Sequence, residues 1–364
     1  MMGLFISMTC IFLQNMQILM SAGFPVSEGS INEQTGNSGK EDFMDLNNLN
    51  LQKCGIIGCG AVGATAAHTL LGSGLFNEMV LIDINHKKAE GEAMDIGHGV
   101  PFVKPVNIYA GDYKDLADAY LVIVTAGANQ MPGETRIDLA EKNTRIFCQI
   151  IPEIVNYNKD CILLIVSNPV DILTQVTLEI SGFEPGRVIG SGTVLDTGRF
   201  KYLLGEHLGV DSRNVHALII GEHGDSEVAV FSSANISGVD LDEFCETCGQ
   251  CINHAFMEQI YEDVKNSAYA IIERKGATFF AISRAILRIA QALIRDENAV
   301  LTVSSKVDGH YGLHDICLGL PSIIGREGVK HIIDTPLNPL EMKRLTDSAE
   351  KLLNVMKKLK KIYN

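Results

Sequence analysis

The stretch KCGIIGCGAVG, residues 53–63, decides the fold. Its apolar start reads as a short buried strand. Gly58-x-Gly60-x-x-Gly63 follows, and then Ala-rich helical sequence over 64–71 that stops at Gly72-Ser73-Gly74. In such a strand-turn-helix the first glycine allows the tight turn. The second lets the backbone approach a pyrophosphate, and the third lets helix and strand pack closely. The helix N-terminus then offers free N–H groups and a positive dipole end to phosphates. Three glycines alone are weak evidence. The next apolar run, 79–82, ends at Asp83, twenty residues beyond Gly63. An acid there accepts hydrogen bonds from the adenosine ribose and would repel a 2′-phosphate, which favours NAD over NADP.

Outward from this stretch the alternation continues. Residues 106–110, 120–125, 161–166 and 187–189 read as buried strands with helical segments between them, including 137–157. The pattern is α/β, a Rossmann doubly wound parallel sheet with a C-terminal α+β substrate domain. It divides the chain into an N-terminal extension, 1–51, a dinucleotide-binding domain, 52–190, and a substrate domain, 191–364. Ligands of such sheets sit beyond the carboxyl ends of the strands. The loop AGANQMPGETRIDL, 126–139, and the Ser167-Asn168-Pro169 turn both fall at that edge.

The chain has 364 residues, 46% of them hydrophobic, and a formal charge of −14 from 44 acids and 30 bases. That balance excludes a typical nucleic-acid binder, which carries a basic patch. The one basic run, 357–361, lies among Leu352, Met356 and Leu359 at helical spacing and reads as the solvated face of a terminal helix. Nine cysteines, an odd number without framework spacing, point to a reducing, cytoplasmic compartment. Cys245, Cys248, Cys251 and His254 recur every third residue. They lack the fourth cysteine and following proline of an iron–sulfur run, and the paired spacing of structural zinc. They read as free thiols, so no metal is expected. The apolar start, 4–20, has no base ahead of it and is broken by Gln14, Asn15 and Gln17. It suits neither a secretion signal nor a membrane span of about 20 apolar residues. With the polar stretch 27–40 it reads as a dispensable extension up to residue 43 or an over-long translation start.

The second half supplies titratable chemistry. GEHGDSE, 221–227, sets His223 after an apolar run, and LDTGRF carries Asp196 and Arg199 three residues apart. On a helix those two point the same way. Alone they are a solvated ion pair. If Asp196 instead meets His223, the group can move a proton: the histidine accepts it from a hydroxyl while the carboxylate fixes the tautomer and stabilises the imidazolium. Arg199, left free, offers a bidentate fork to a substrate carboxylate. Arg136 can stabilise charge on a carbonyl oxygen if its loop closes, and Asn168 can donate to the same atom.

GCGAVG, VLIDIN, TAGANQMPGETR, VSNPVDILT, GSGTVLDTGRF, GEHGDSE and RKGAT together make the chain similar, over roughly residues 52–360, to bacterial L-lactate dehydrogenases of the lactate/malate dehydrogenase family. The resemblance implies hydride transfer between NADH and pyruvate, with His223 as proton donor and acceptor, Asp196 as its partner and Arg136 as the loop arginine. It implies that Arg199, Asn168 and Thr278 bind substrate. It places cofactor contacts at Gly58, Gly60, Val62, Gly63, Asp83, Lys88, Tyr113, Gly127, Ala128, Gln149, Ser167 and Asn168. Gln130 falls where the family separates lactate from malate: a neutral amide leaves room for a methyl group and gives a second carboxylate no partner. Malate dehydrogenase and a non-catalytic NAD-binding protein are the competing readings. The resemblance further implies a homo-oligomer, a tetramer or a dimer of the same interfaces. Relatives activated by fructose 1,6-bisphosphate carry an arginine two residues after the carboxylate-binding one, and a histidine seven before the catalytic one. Lys201 and His216 stand there, so a weakened response to this effector is expected.

Overall fold

Strand β1, Asn50–Ile57, is buried along its last five residues, as a strand covered on both faces must be. Beside it run β2 (Glu78–Ile82), β3 (Asn107–Ala110), β4 (Ala119–Val124), β5 (Ile162–Ile165) and β6 (Val188–Gly190). All pair in parallel, in the order β3-β2-β1-β4-β5-β6. The computed structural model describes residues 46–128, 133–248 and 255–363. Residues 1–45 of the expected extension, with Gln130, Cys251 and His254, lie outside the described residues, and its last two residues, Asn50 and Leu51, belong to β1.

Two layers of helix cover this sheet because its side chains alternate. Ile57, Val122, Val124 and Leu163 face one side with Phe147 and Ile151 of α3 (Arg136–Tyr157), Leu173 and Val176 of α4 (Val170–Ser181), and Leu352 and Met356 of the last helix. Ile56, Met79, Leu121 and Ile123 face the other, with Ala66 and Leu70 of α1 (Ala61–Ser73). Each such aliphatic side chain removed from water contributes about 1.5–3 kcal/mol before the entropy of ordering it is counted. Helix α2 is His86–Gly97. The sequence reading places these strands to within a residue at most ends.

The C-terminal half extends the same sheet. β10 (Ala299–Val307) pairs antiparallel with β6 at Ser304 and Gly190, and β11 (Ile316–Gly325) and β12 (Gly328–Ile332) continue outward. The result is one nine-stranded mixed sheet beside a three-stranded antiparallel sheet of β7 (Val215–Ile220), β8 (Val228–Ile236) and β9 (Val239–Asp240). Helices α5 (Val194–Leu208), α6 (Leu241–Cys248), α7 (Ala255–Lys275), α8 (Phe280–Ile294) and α9 (Pro339–Tyr363) complete the order.

Helix α9 buries Leu352, Met356 and Leu359 and exposes Lys357, Lys358, Lys360 and Lys361, so the basic run is a solvated face. Cys245 is buried on α6 and forms no disulfide. Among the described residues no cluster of His, Cys, Asp and Glu could hold a metal ion, and no helix is long and apolar enough to cross a membrane.

Candidate active site

The strand order reverses between β1 and β4, and a crevice opens beyond their carboxyl ends. The glycines sit there, and space around each separates their roles. Gly58 has φ +98°, and a Cβ on it would lie 2.5 Å from the Ala126 nitrogen. A Cβ on Gly63 would lie 1.9 Å from the Gly58 oxygen. A Cβ on Gly60 meets nothing within 4 Å. So two glycines are required by the protein itself, and the third fronts open space at the start of α1. No side chain caps that helix end. This cradle fits a pyrophosphate. Asp83 closes it: one carboxylate oxygen accepts the Cys59 N–H at 2.7 Å and the other the Asn85 N–H at 2.8 Å. A carboxylate oxygen has two lone pairs, so acceptor capacity remains for ribose hydroxyls.

Across the crevice, Asn143 of α3 ties two expected cofactor segments together. Its Oδ1 accepts the Ala128 N–H at 2.8 Å, and its Nδ2 donates to the Asn168 carbonyl at 2.7 Å. The Ser167 hydroxyl donates to the Ala126 carbonyl at 2.6 Å. The Gly127-Ala128 turn and the Ser167-Asn168 turn are thus one unit. Val62 is partly buried against the core at the foot of α1. Tyr113 is half-buried, whereas Lys88 at the start of α2 and Gln149 on α3 are exposed.

Asp196 is the centre of the chemistry. It lies in the first turn of α5 with 1% of its surface exposed. Its Oδ2 is 2.5 Å from His223 Nδ1, and its Oδ1 accepts from Arg199 Nη1 at 2.8 Å. Arg199 is therefore not free of Asp196, as the sequence reading required. The helical i,i+3 spacing that aligns the two side chains also closes an ion pair, and only the rest of the guanidinium is left for a ligand. Asp171, in the first turn of α4, accepts the His223 backbone N–H at 2.8 Å and fixes the turn that carries the imidazole. Burial disfavours the imidazolium, but Asp196 outweighs it and raises His223 to about 9. Burial also pushes the Asp196 carboxyl up, yet His223 and Arg199 together hold it below the usual carboxylate range. Asp171 is raised by burial to about 6, its His223 N–H bond working against the rise. An ionised Asp196 on Nδ1 leaves Nε2 of a protonated His223 as the proton that can be given away.

Arg136 departs from expectation in its setting. It is the first residue of α3 rather than part of the loop, because Thr135 and Asp138 form a capping box that starts the helix there. Its guanidinium lies beside the histidine turn. It is 2.7 Å from Asp225 and 3.7 Å from Glu222, and it donates to the Tyr269 hydroxyl at 2.9 Å. Thr278 is half-buried in the segment between α7 and α8. Lys201 follows Arg199 on α5 and is half-buried; burial lowers its pKa. His216 is exposed on β7.

Two family models match the chain in succession. The NAD binding domain of lactate/malate dehydrogenase covers residues 52–190, and the α/β C-terminal domain of the same family covers 193–362. The chain belongs to the lactate/malate dehydrogenase family. An L-lactate dehydrogenase of Acetivibrio thermocellus is 56% identical over 86% of this chain and 99% of its own length. L-lactate dehydrogenase 1 of Clostridium acetobutylicum is 54% identical over 82% of this chain and 96% of its own. A crystal structure of minor L-lactate dehydrogenase from Enterococcus mundtii superimposes with a TM-score of 0.82 at 42% identity, covering 85% of this chain and 98% of that one.

Within this lactate/malate dehydrogenase fold, three polar residues escaped the sequence reading. Asn143 and Asp171 sit on helices, where a crevice-facing polar side chain looks like a solvated one. Asp171 carried one usable signal: an acid two residues beyond Asn168-Pro169, at a helix start that ends in the crevice. The third, Glu227, closes the GEHGDSE motif itself and is buried.

Proposed function

We propose that this chain is an NAD-dependent L-lactate dehydrogenase that reduces pyruvate to (S)-lactate and runs the reverse reaction. The observation that carries this reading is Asp196 joining the His223 imidazole to the Arg199 guanidinium. Bound at the glycine cradle, NADH supplies the hydride. His223 holds the proton that the reduced carbonyl oxygen takes up, and Asp196 keeps that proton on Nε2. Arg199 pairs the substrate carboxylate with the part of its fork that Asp196 leaves open. Asn168 and Thr278 complete the substrate pocket. Arg136, at the first position of α3, leaves Asp225 and Glu222 to stabilise the developing alkoxide.

Gln130 sets the substrate class. A substrate with a second carboxylate would find no counter-charge there, and an unpaired buried charge costs several kcal/mol. The test is turnover with NADH on pyruvate against oxaloacetate, in the wild type and in Gln130→Arg. Pyruvate should be the preferred substrate, and the substitution should raise the oxaloacetate-to-pyruvate ratio of kcat/KM. Preference for oxaloacetate in the wild type would make the enzyme a malate dehydrogenase. No turnover of either would make it a binding protein.

We further propose a cytoplasmic homotetramer. Lys201 and His216 are assigned to a fructose 1,6-bisphosphate site between subunits. Burial of Lys201 supports this, since a half-desolvated ammonium gains from an incoming phosphate. Lysine lacks the bidentate fork of arginine, so activation should be weak. Pyruvate saturation curves at pH 6, with and without the bisphosphate at matched ionic strength, should separate at low pyruvate. Superimposed curves would remove the effector site.

A further inference from the structure

Three buried carboxyls act on one imidazole, and Glu227 closes the same GEHGDSE turn that carries it. Asp196 is 1% exposed, Asp171 2% and Glu227 3%. The first two have defined partners. Asp196 pairs His223 and Arg199, and Asp171 accepts the His223 N–H through Oδ2, while its Oδ1 is buried without a partner. Glu227 has no ion pair among the described residues, and its Oε1 is buried without a hydrogen-bond partner. Its own backbone is pinned, since the Tyr261 hydroxyl of α7 donates to the Glu227 carbonyl. The backbone that carries the carboxyl is held, and the carboxyl itself has no cation paired to it among the described residues.

The charge count of the pocket says what state it takes. Arg199 and His223 are the two cations beside the three acids, and the substrate adds a further carboxylate. Asp196 must be ionised to hold His223. An unpaired buried carboxylate sheds its charge by keeping its proton. Other charged groups near Glu227 do not change this. On the histidine turn, Arg136 holds Glu222 and Asp225. On α7, Lys265 is paired with Glu262 at 2.5 Å, and Glu258 lies 3.7 Å from Arg344 of α9. Asp347 and Lys351 of α9 line, with Glu227, an open surface cavity.

We propose that Glu227 is a positioning residue held as the neutral acid behind the His223–Asp196–Arg199 group, and that its ionisation in alkaline solution keeps His223 protonated to higher pH. The proposal rests on His223 being the proton donor. Burial pushes the Glu227 carboxyl up to about 9, the range in which His223 also titrates. Two opposite charges that form in one pH range stabilise each other and titrate as a pair. When Glu227 loses its proton, the new anion attracts the imidazolium, and the alkaline loss of pyruvate reduction is postponed.

The experiment is the pH dependence of kcat/KM for pyruvate reduction between pH 6 and 10, in wild type, Glu227→Gln and Glu227→Asp. The readout is the position of the alkaline limb, not the height of the plateau. Glutamine keeps the shape and removes the ionisation, so its limb should move to lower pH by roughly half a unit to one unit. Aspartate keeps an ionisable carboxyl and should bring the limb back toward wild type. A limb that stays put in Glu227→Gln overturns the proposal. So does an equal displacement in both variants, which would be an effect of packing. His223→Ala is measured alongside. If it stays active, the reading of His223 itself fails; if it is dead while the Glu227→Gln limb is unmoved, only the role of Glu227 is lost.

Discussion

A histidine becomes an acid at neutral pH only if something nearby values its charge. His223 is raised to about 9 because burial, which opposes the imidazolium, is outweighed by Asp196 at 2.5 Å. The sign of the pH dependence follows. Pyruvate reduction needs the imidazolium, so its kcat/KM should be level near neutrality and fall as pH rises through about 9. Lactate oxidation needs the neutral ring and should rise over the same range. Stability moves with it: the charged ring contributes fully below the ordinary histidine range, and that contribution fades as pH climbs toward 9. Asp196→Asn removes the charge and frees the wrong tautomer. Turnover should drop on the order of a hundredfold or more, and the reduction limb should move to lower pH, while NADH affinity is kept. Fluorescence titration of NADH and a pH series of initial rates check both. Unchanged rates in this variant would detach Asp196 from catalysis. Asp196 and His223 were each legible in the sequence. That a single carboxylate serves both His223 and Arg199 was not, because residues 27 apart meet only through the fold.

At the scale of elements, the parallel strands were legible to within a residue or so, since strands buried on both faces are plain apolar runs between turn residues. The joining of β10 to β6 was not legible. It rests on the pairing of Ser304 with Gly190, which no local pattern announces. The strand-turn-helix of residues 53–63 was the clearest signal, and the structure separates what its glycines do. Gly63→Ala puts a methyl 1.9 Å from the Gly58 oxygen, so α1 must move off β1. Overpacking of this kind costs about 1–3 kcal/mol, and the melting temperature should fall by several degrees. Gly60→Ala meets nothing within 4 Å in the protein. Its melting temperature should hold while NADH affinity falls, because the methyl occupies the approach to the pyrophosphate. Thermal melts and NADH titrations on the pair decide this. Loss of stability in Gly60→Ala would mean that the glycine serves the fold, not the ligand.

For the whole molecule, the question is how much of the chain the fold needs. Met44–Asn364 is one compact unit. The family match begins at residue 52, and the Acetivibrio thermocellus enzyme is matched over 99% of its length by 86% of this chain. That relative is matched along nearly its whole length by 313 residues of this chain. The first strand explains why this suffices. β1 is anchored by its own register to β2 and β4, and Lys53 ties its start to Glu78 at 2.9 Å and Asp118 at 2.6 Å. A chain begun at Met44 should therefore melt within about two degrees of the full-length protein and turn over pyruvate at the same rate, as expected when a removed terminus carries no buried backbone of the core. Side-by-side melts and pyruvate assays on the two lengths provide the check. Insoluble or slowed protein from the shorter chain would show that the first 43 residues pack on the enzyme and belong to its working structure.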